Sequence, residues 1–385
     1  MLESMHRYLP LLLLLSTPLF CLNMDFPNQP AGEEIHYVKA ARAWLETGAD
    51  SNLEHPPLAK MIIAAGIALL GDEALGWRFF SALAGAGILI GMYYWSLALF
   101  EDRKTAWWTV TFSFLSIMLW TEARLATLEV YQVAFLIGAC ACCSRIWFGR
   151  TGSRQTVPSA GAGIMFGLAI ACKWFALVAW IPCAVVTIGL ALHKRRAKPI
   201  FSPPLVACAC LLILPILVYM LTYAPYLAHQ GLMRWIGLQG AMWTDQTDPL
   251  VAASAQPLVW YLWPFQLQPE SLAVERDFSA IRVLGLIANP VCVWGGIVAA
   301  VISLRMGRER AWAAALFPAL FFFSWAVIPH KHQHYYYFFP CVMALSLPLA
   351  NARKVRWIVA LLAAAVCAYY LPNMLALKTP VAVSI

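Results

Sequence analysis

Charge is what this sequence has least of. Only 12% of its 385 residues are Asp, Glu, Lys or Arg, against 62% apolar. Soluble domains carry about 25% charged and about 45–50% apolar residues. There are too few polar side chains to cover a folded surface in water. A cytosolic enzyme, a secreted globular domain and a disordered chain are therefore excluded. The basic loops between apolar runs are too small to hold a nucleotide. No P-loop, dinucleotide-binding glycine motif, HExxH or GxSxG string occurs. An ATP-driven pump and a nucleotide-sugar enzyme of the soluble type fall away with them. Internal repeats, low-complexity segments and a separate soluble domain are also lacking. The eleven cysteines lie mostly inside apolar runs. They read as small buried hydrophobes rather than as a zinc or redox framework.

What the chain does have is apolar length. A bilayer span takes about 20 apolar residues. Spans are predicted near 8–24, 77–100, 105–121, 127–148, 157–172, 173–192, 205–223, 283–304, 311–328, 335–350 and 357–376. The stretch from Arg154 to His193 is basic at both flanks and too long for one crossing, so it reads as a hairpin turning at Lys173-Trp174. The stretch from Pro56 to Leu70 is short and carries Lys60. If it crossed, the loops holding Arg145 to Arg154 and Lys194 to Lys198 would lie on the opposite side from Arg7. If it lies at the interface, every basic loop falls on one side, as the positive-inside rule requires. The expectation is therefore an all-α polytopic membrane protein of about 11 transmembrane helices, with a juxtamembrane helix in the first outer loop. Its N-terminus is predicted in the cytoplasm and its C-terminus outside. Arg7 and the cytoplasmic loops hold 16 of the 27 basic residues and, with the N-terminus, only four acidic ones. The net charge of +8 thus concerns topology and not nucleic acid. Arg7 before an apolar run also resembles a signal peptide. Without a small-x-small site before Cys21, an uncleaved first span is the preferred reading.

Two outer segments, 25–76 and 224–280, are too long to be connectors, and long loops in compact proteins are usually functional. Charged and histidine side chains gather on that face: Glu33, Glu34, His36, Glu54, His55 and Lys60, then Arg78, Glu122, Arg124 and Glu129, then Lys173, and finally His330, Lys331, His332 and His334. A lone Arg or Lys at a span end is often a snorkelling anchor; the convergence of several loops carries more weight. Carboxylates can deprotonate a hydroxyl. Arg and Lys can hold a phosphate and stabilise it as a leaving group. An outer-face site has no ATP or nucleotide sugar, so a sugar on a lipid phosphate is the donor at hand. The acid and histidine mixture admits a divalent metal with His332 and His334 as weak ligand candidates, but interfacial histidines are the simpler reading.

Several strings resemble the dolichyl-phosphate-mannose protein mannosyltransferases. Glu33-Glu34-Ile35-His36-Tyr37 resembles their DE-x-H-[FY] motif, and His55-Pro56-Pro57-Leu58-Ala59-Lys60 their HPPLGK. Arg78 to Gly85 resembles R-x-x-SAL-x-G, and Ala123 to Glu129 resembles SR-x-x-LLD. Gly163 to Ala169 followed by Lys173-Trp174 resembles GLALGLA…KW. Pro257 to Pro264, Asn289-Pro290 with Trp294, and Tyr336 to Pro340 fall where that family has PW-x-WP, GNP…WW and YHYLP. The motifs run in the family's order over most of the chain. Glu replaces Asp at 33 and 129, Ala123 replaces a serine, Tyr337 replaces a histidine, and no large lumenal domain is inserted. These departures suggest a divergent bacterial member.

The resemblance implies one GT-C transmembrane domain over residues 1–385 in a bacterial plasma (inner) membrane, its active site facing the periplasm or exterior. Segment 25–76 would be the catalytic loop. It implies an inverting transferase that moves a sugar, mannose by resemblance, from a polyprenyl-phosphate carrier to a hydroxyl acceptor, foremost protein Ser/Thr. Glu33 stands at the family's catalytic aspartate position, with Glu34 as its nearest rival and Glu54 beside it. His36, His55, Lys60, Arg78, Arg124, Glu129, Lys173, Trp174 and Lys331 are the candidates for substrate binding. Beyond the donor, the acceptor and the bilayer, the resemblance admits a dimer; no organic cofactor is expected. A lipid- or lipid A-modifying transferase of the aminoarabinose type shares the acidic first loop and remains open. A lipid-linked sugar transporter or flippase is the alternative of another class, but transporters carry ionisable residues near the midplane and often show inverted repeats.

Overall fold

The computed structural model describes residues 9–149, 156–194, 204–247, 259–276, 280–328 and 334–380. The chain opens with α1 (Leu9–Phe20), then α2 (Glu34–Thr47) and α3 (Leu58–Leu70) within the first long loop. There follow α4 (Ala74–Phe100), α5 (Arg103–Phe114), α6 (Ile117–Glu122), α7 (Leu128–Phe148), α8 (Thr156–Cys172) and α9 (Leu177–Lys194). Next come α10 (Pro204–Cys208), a π-helical turn (Ala209–Ile213) continuing into α11 (Leu214–Thr222), and α12 (Ala224–Thr247). After strands β1 (Glu270–Arg276) and β2 (Ala280–Leu286) come α13 (Pro290–Arg305), α14 (Glu309–Phe323), α15 (Phe339–Asn351), α16 (Arg356–Tyr369), α17 (Leu371–Met374) and β3 (Thr379–Pro380).

Among the described residues, four helices are long and apolar enough to cross a membrane: Ala74–Phe100, Leu128–Phe148, Trp174–His193 and Leu205–Thr222. The remaining expected spans coincide with shorter or interrupted helices. Apolar side chains face outward on many of them. Leu69, Leu205, Leu221 and Leu361 are each more than two-thirds exposed, as suits a chain whose solvent on those faces is lipid. The stretch from Lys173 to Trp174 is the turn between α8 and α9, where the hairpin was expected, and α3 covers the expected juxtamembrane helix. The second helix of the first loop, α2, was not expected.

The fold is not all-α. β1 and β2 pair antiparallel, and β2 also pairs with β3. The expected span at 283–304 therefore loses its first residues to a strand. Val283 to Leu286 reads as apolar run, but Asn289-Pro290 starts the helix afresh. The Asn289 side-chain oxygen accepts from the backbone N–H of Val291 (3.1 Å) and Cys292 (3.4 Å), and Pro290 stands in the first turn, a standard helix start. The Asn289 side-chain amide nitrogen donates to the carbonyls of Leu115 (2.9 Å) and Ala363 (3.0 Å). That satisfies a carbonyl at the break between α5 and α6, inside the expected 105–121 span.

Helix packing relies on close backbone approach. A Cβ added to Gly163 would sit 1.9 Å from the Cys210 carbonyl oxygen, and one on Gly167 2.6 Å from Val218 Cβ. The Gly-x-x-x-Gly face of α8 thus lies directly on the π-turn and α11, a small-residue contact typical of membrane helices. Gly163→Val is expected to destabilise the protein by about 1–3 kcal/mol, read as a lower unfolding midpoint in mixed micelles. An unchanged midpoint would mean that α8 and α11 do not pack this closely.

Candidate functional site

Two buried ion pairs and one lysine clamp shape one end of the bundle. Glu34, in the first turn of α2, meets Arg78, in the first turns of α4. Arg78 Nε and Nη2 donate to the two Glu34 carboxylate oxygens at 2.7 and 2.6 Å, and both side chains are fully buried. Every lone-pair direction is used. The N–H groups of Ala31 and Ala126 donate to the same carboxylate (3.1 and 2.6 Å), and Arg78 Nη1 donates to the carbonyls of Met24 and Pro27 (2.8 Å each). Arg124 acts similarly, donating to the carbonyls of Met374 (2.8 Å) and Asn23 (2.9 Å). Glu122 accepts from the Thr127 hydroxyl at 2.7 Å.

Lys60 projects from α3 into the loop before it. Its Nζ pairs with Asp50 Oδ2 (2.6 Å) and donates to the carbonyls of His55 (2.8 Å) and Asn52. Burial pulls the Lys60 ammonium below its ordinary range and pushes the Asp50 carboxyl up, each opposed by the partner's charge. The last residue of the HPPL-x-K string therefore closes the 50–55 loop and fixes how Glu54 and His55 are presented.

The second ion pair joins the α8–α9 turn to α7. Lys173 Nζ pairs with Glu129 of α7, both nearly buried. The ammonium also lies 4.3 Å from the centre of the Tyr337 ring and 5.3 Å from that of Tyr336, a cation–π cradle. His334 stacks on Tyr336 with ring centres 4.9 Å apart. Glu33, the residue before α2, is half-buried and accepts from the Tyr37 hydroxyl at 3.4 Å. Its carboxylate is within electrostatic reach of Lys173, Tyr336 and Tyr337. Glu33 and Glu34 are chain neighbours, yet one faces this cluster and the other Arg78, because successive helical residues point about 100° apart.

A cavity of about 630 Å³ opens against the cluster, lined by Glu54, His55, Lys173 and Trp174 at its polar end. Leu177, Val178, Ile181 and Pro182 of α9, with Leu320 and Phe323 of α14, form apolar walls. Among the described residues lining it, Lys173 is the one lysine or arginine. Trp243, Gln246 and Thr247 of α12 close another side. α12 is anchored there because Gln246 Nε2 donates to the Glu54 carbonyl (3.2 Å). Gly231, with φ +77, breaks the α12 helix near its start, in a conformation open to glycine. Trp174 Nε1 donates to the Tyr219 hydroxyl (3.0 Å), which in turn donates to Gln239 Oε1 of α12 (2.6 Å). Gln246→Ala removes one hydrogen bond of about 1 kcal/mol. It is expected to raise the KM for a donor bound in the cavity by about fivefold. An unchanged KM would separate α12 from the site.

Of the residues singled out in the sequence, the structure gathers Glu54, His55, Lys173 and Trp174 on the cavity wall, with Glu33 and Glu129 behind Lys173. Lys60, Arg78, Arg124 and Glu34 are buried among backbone carbonyls and each other, away from the cavity lining. His36 is exposed on α2 and lines neither this cavity nor the smaller one near it. Lys331 and His332 lie outside the described residues. Among the described residues no group of three His, Cys, Asp or Glu could hold a metal. Sequence reasoning missed Tyr37, the aromatic cradle of Tyr336 and Tyr337, the amides of α12, and Glu270 at the start of β1, which is within electrostatic reach of Glu33.

Comparisons with known proteins give the following similarities. Residues 54–223 match the family described as dolichyl-phosphate-mannose-protein mannosyltransferase. The chain is 25% identical over 412 residues to a polyprenol-phosphate-mannose–protein mannosyltransferase of Mycolicibacterium smegmatis strain mc(2)155, covering 86% of this chain and 78% of that one. It is 22% identical over 392 residues to the protein of the same name in Mycobacterium tuberculosis strain H37Rv, covering 82% and 73%. Among solved structures it resembles ArnT from Cupriavidus metallidurans bound to undecaprenyl phosphate, with a TM-score of 0.67 at 14% identity. That match covers 94% of this chain, which spans 64% of the ArnT chain. An oligosaccharyltransferase of Archaeoglobus fulgidus matches at a TM-score of 0.53 and 14% identity, over 95% and 52%. The fold is the one these solved structures share, and the similarity to the mannosyltransferase relatives extends over most of the chain.

Proposed function

We propose that this GT-C chain is an inverting glycosyltransferase that carries mannose from a polyprenyl-phosphate donor to a hydroxyl acceptor, foremost a protein Ser or Thr, on the extracytoplasmic face. The observation that carries the proposal is the cavity with one ammonium at its polar end and aliphatic walls leading away. A lipid phosphate has that same polarity. Its charged head fits beside Lys173, and its prenyl tail fits between α9 and α14. The curated relatives are named for such a donor and for a protein acceptor.

The chemistry needs three things. Glu33 takes the proton of the acceptor hydroxyl as that oxygen bonds to the anomeric carbon. The bond from the anomeric carbon to the phosphate oxygen breaks on the opposite face, and the electron pair leaves with the polyprenyl phosphate. Lys173 stabilises the charge gained by that phosphate. Its three N–H donors can serve Glu129, the aromatic cradle and a phosphate oxygen together. Glu129 and the two tyrosines pre-position the ammonium, so little reorganisation accompanies the reaction. Glu54 and His55, held by the Lys60 clamp, orient the acceptor beside the donor head.

The test is a transfer assay with a defined polyprenyl-phosphate mannose and extracted membrane proteins and lipids offered in parallel. Mannose is expected in the protein fraction. Label confined to the lipid fraction would replace the protein acceptor by a lipid one. Donor carried across proteoliposomes without product would replace the enzyme by a transporter.

A further inference from the structure

The donor cavity has a small neighbour. A second pocket of about 120 Å³ lies on the other side of the clamped loop, lined among others by Trp44, Asp50, His55, Tyr223, Tyr226 and His229. His55 lines both spaces. It is the one residue shared by the two linings, so a group held in the small pocket lies across one imidazole from the donor head. The His55 ring is itself packed edge-on to Tyr37, with centres 6.2 Å apart, and Tyr37 donates to Glu33. The small pocket, the proposed base and the donor cavity are thus linked through two aromatic side chains.

Size and wall chemistry restrict what can enter. At about 120 Å³ the pocket is well below the ~300 Å³ and more of a drug-sized ligand site. A saccharide headgroup does not fit; a side chain of two or three heavy atoms does. The walls are the C-terminal turn of α2, the 48–57 loop and the start of α12, not the lipid-facing flanks of the apolar helices. Trp44 and Tyr226 are half-buried in the wall, and His229 is exposed. Asp50 is fixed from behind by Lys60 at 2.6 Å and by the Asn52 N–H at 2.9 Å. The wall is therefore formed before any ligand arrives, which lowers the cost of orienting one.

We infer that this pocket is an acceptor-recognition subsite, taking a short side chain that flanks the reacting Ser or Thr of an extended protein segment, while the reacting hydroxyl itself lies on the donor side of His55. The inference rests on the glycosyl-transfer reading given above and adds to it where the acceptor binds. It assigns acceptor recognition to Trp44, Tyr226 and His229, which no motif marks.

The experiment uses the full chain in lipid nanodiscs with polyprenyl-phosphate mannose and a threonine-containing peptide. KM is measured separately for donor and peptide. Tyr226→Ala removes one aromatic wall, and Ala49→Trp fills the pocket from its exposed rim. Each is expected to raise the peptide KM about tenfold or more, equivalent to about 1.4 kcal/mol, while the donor KM shifts by less than about twofold. Loss of folding would move both constants, so the split separates recognition from structure. Peptide transfer with an unaltered peptide KM in both variants overturns the acceptor subsite and leaves the glycosyl-transfer reading standing. A wild-type protein that releases no mannose to peptide, lipid or water overturns that reading and the subsite with it.

Discussion

Glu33→Gln is expected to slow sugar transfer by about two to four orders of magnitude, the span usually lost with a general base. The substitution keeps the size of the side chain and still accepts from the Tyr37 hydroxyl, 3.4 Å away in the native protein. What it removes is the capacity to take a proton. Because Glu33 is half-buried and is not one of the ion-paired carboxylates, the fold and the donor KM should change little. Glu33→Asp, one methylene shorter, should retain part of the rate. The informative comparison is Glu54→Gln, since Glu54 lines the donor cavity directly. If Glu54→Gln shows the large loss and Glu33→Gln does not, the base is Glu54. Wild-type rates in both Glu33→Gln and Glu34→Gln would remove the acidic first turn of α2 from the chemistry.

Arg78→Met is expected to act on stability instead, by about 3–5 kcal/mol. That is the usual cost of removing one partner from a buried pair and stranding the other charge. Here the stranded group would be Glu34, fully buried and holding two backbone N–H groups besides the guanidinium. The carbonyls of Met24 and Pro27 would lose their donor as well. The loss should be read as a lower midpoint of reversible unfolding in mixed micelles. The double variant Arg78→Met with Glu34→Leu should recover much of it, because replacing both ions by apolar groups is often near neutral. If the single variant unfolds like the native protein, the pair does not hold the first loop. If it keeps its midpoint but loses donor binding, Arg78 contacts the phosphate after all.

These two residues show what was legible beforehand. That an acidic pair at 33 and 34 and an arginine at 78 matter was readable from scarcity: ionisable groups near a bilayer are costly and persist for a reason. Which carboxylate faces the Lys173 and tyrosine cluster was not, because adjacency in sequence hides the turn that separates them in space. The hairpin at Lys173 and the helix over Pro56 to Leu70 were readable from charge placement and length. The strand ending at Leu286 was not, since Val283 to Leu286 is apolar enough to merge with the helix behind it. The tyrosine cradle could have been suspected from three consecutive tyrosines at 335–337 before a span. A run of aromatics is equally the signature of an interfacial belt, and only the position of Lys173 tells the two apart. Lys60 was credited with substrate, but its length let it reach backward to carbonyls that the sequence does not show to be unpaired.

Arg124 also sets a timetable for synthesis. Its guanidinium joins the carbonyl of Asn23 to that of Met374, 250 residues further along the chain than itself. At about 5–20 residues per second, tens of seconds separate the emergence of the arginine from that of its last acceptor. Throughout that interval the first long loop lacks the tie that finally holds it, although α2, α3 and α4 have long been made. This end of the bundle is thus the part that matures last, and a ribosome stalled before α17 would leave a chain with its apolar helices in place and its reaction chamber still unlocked.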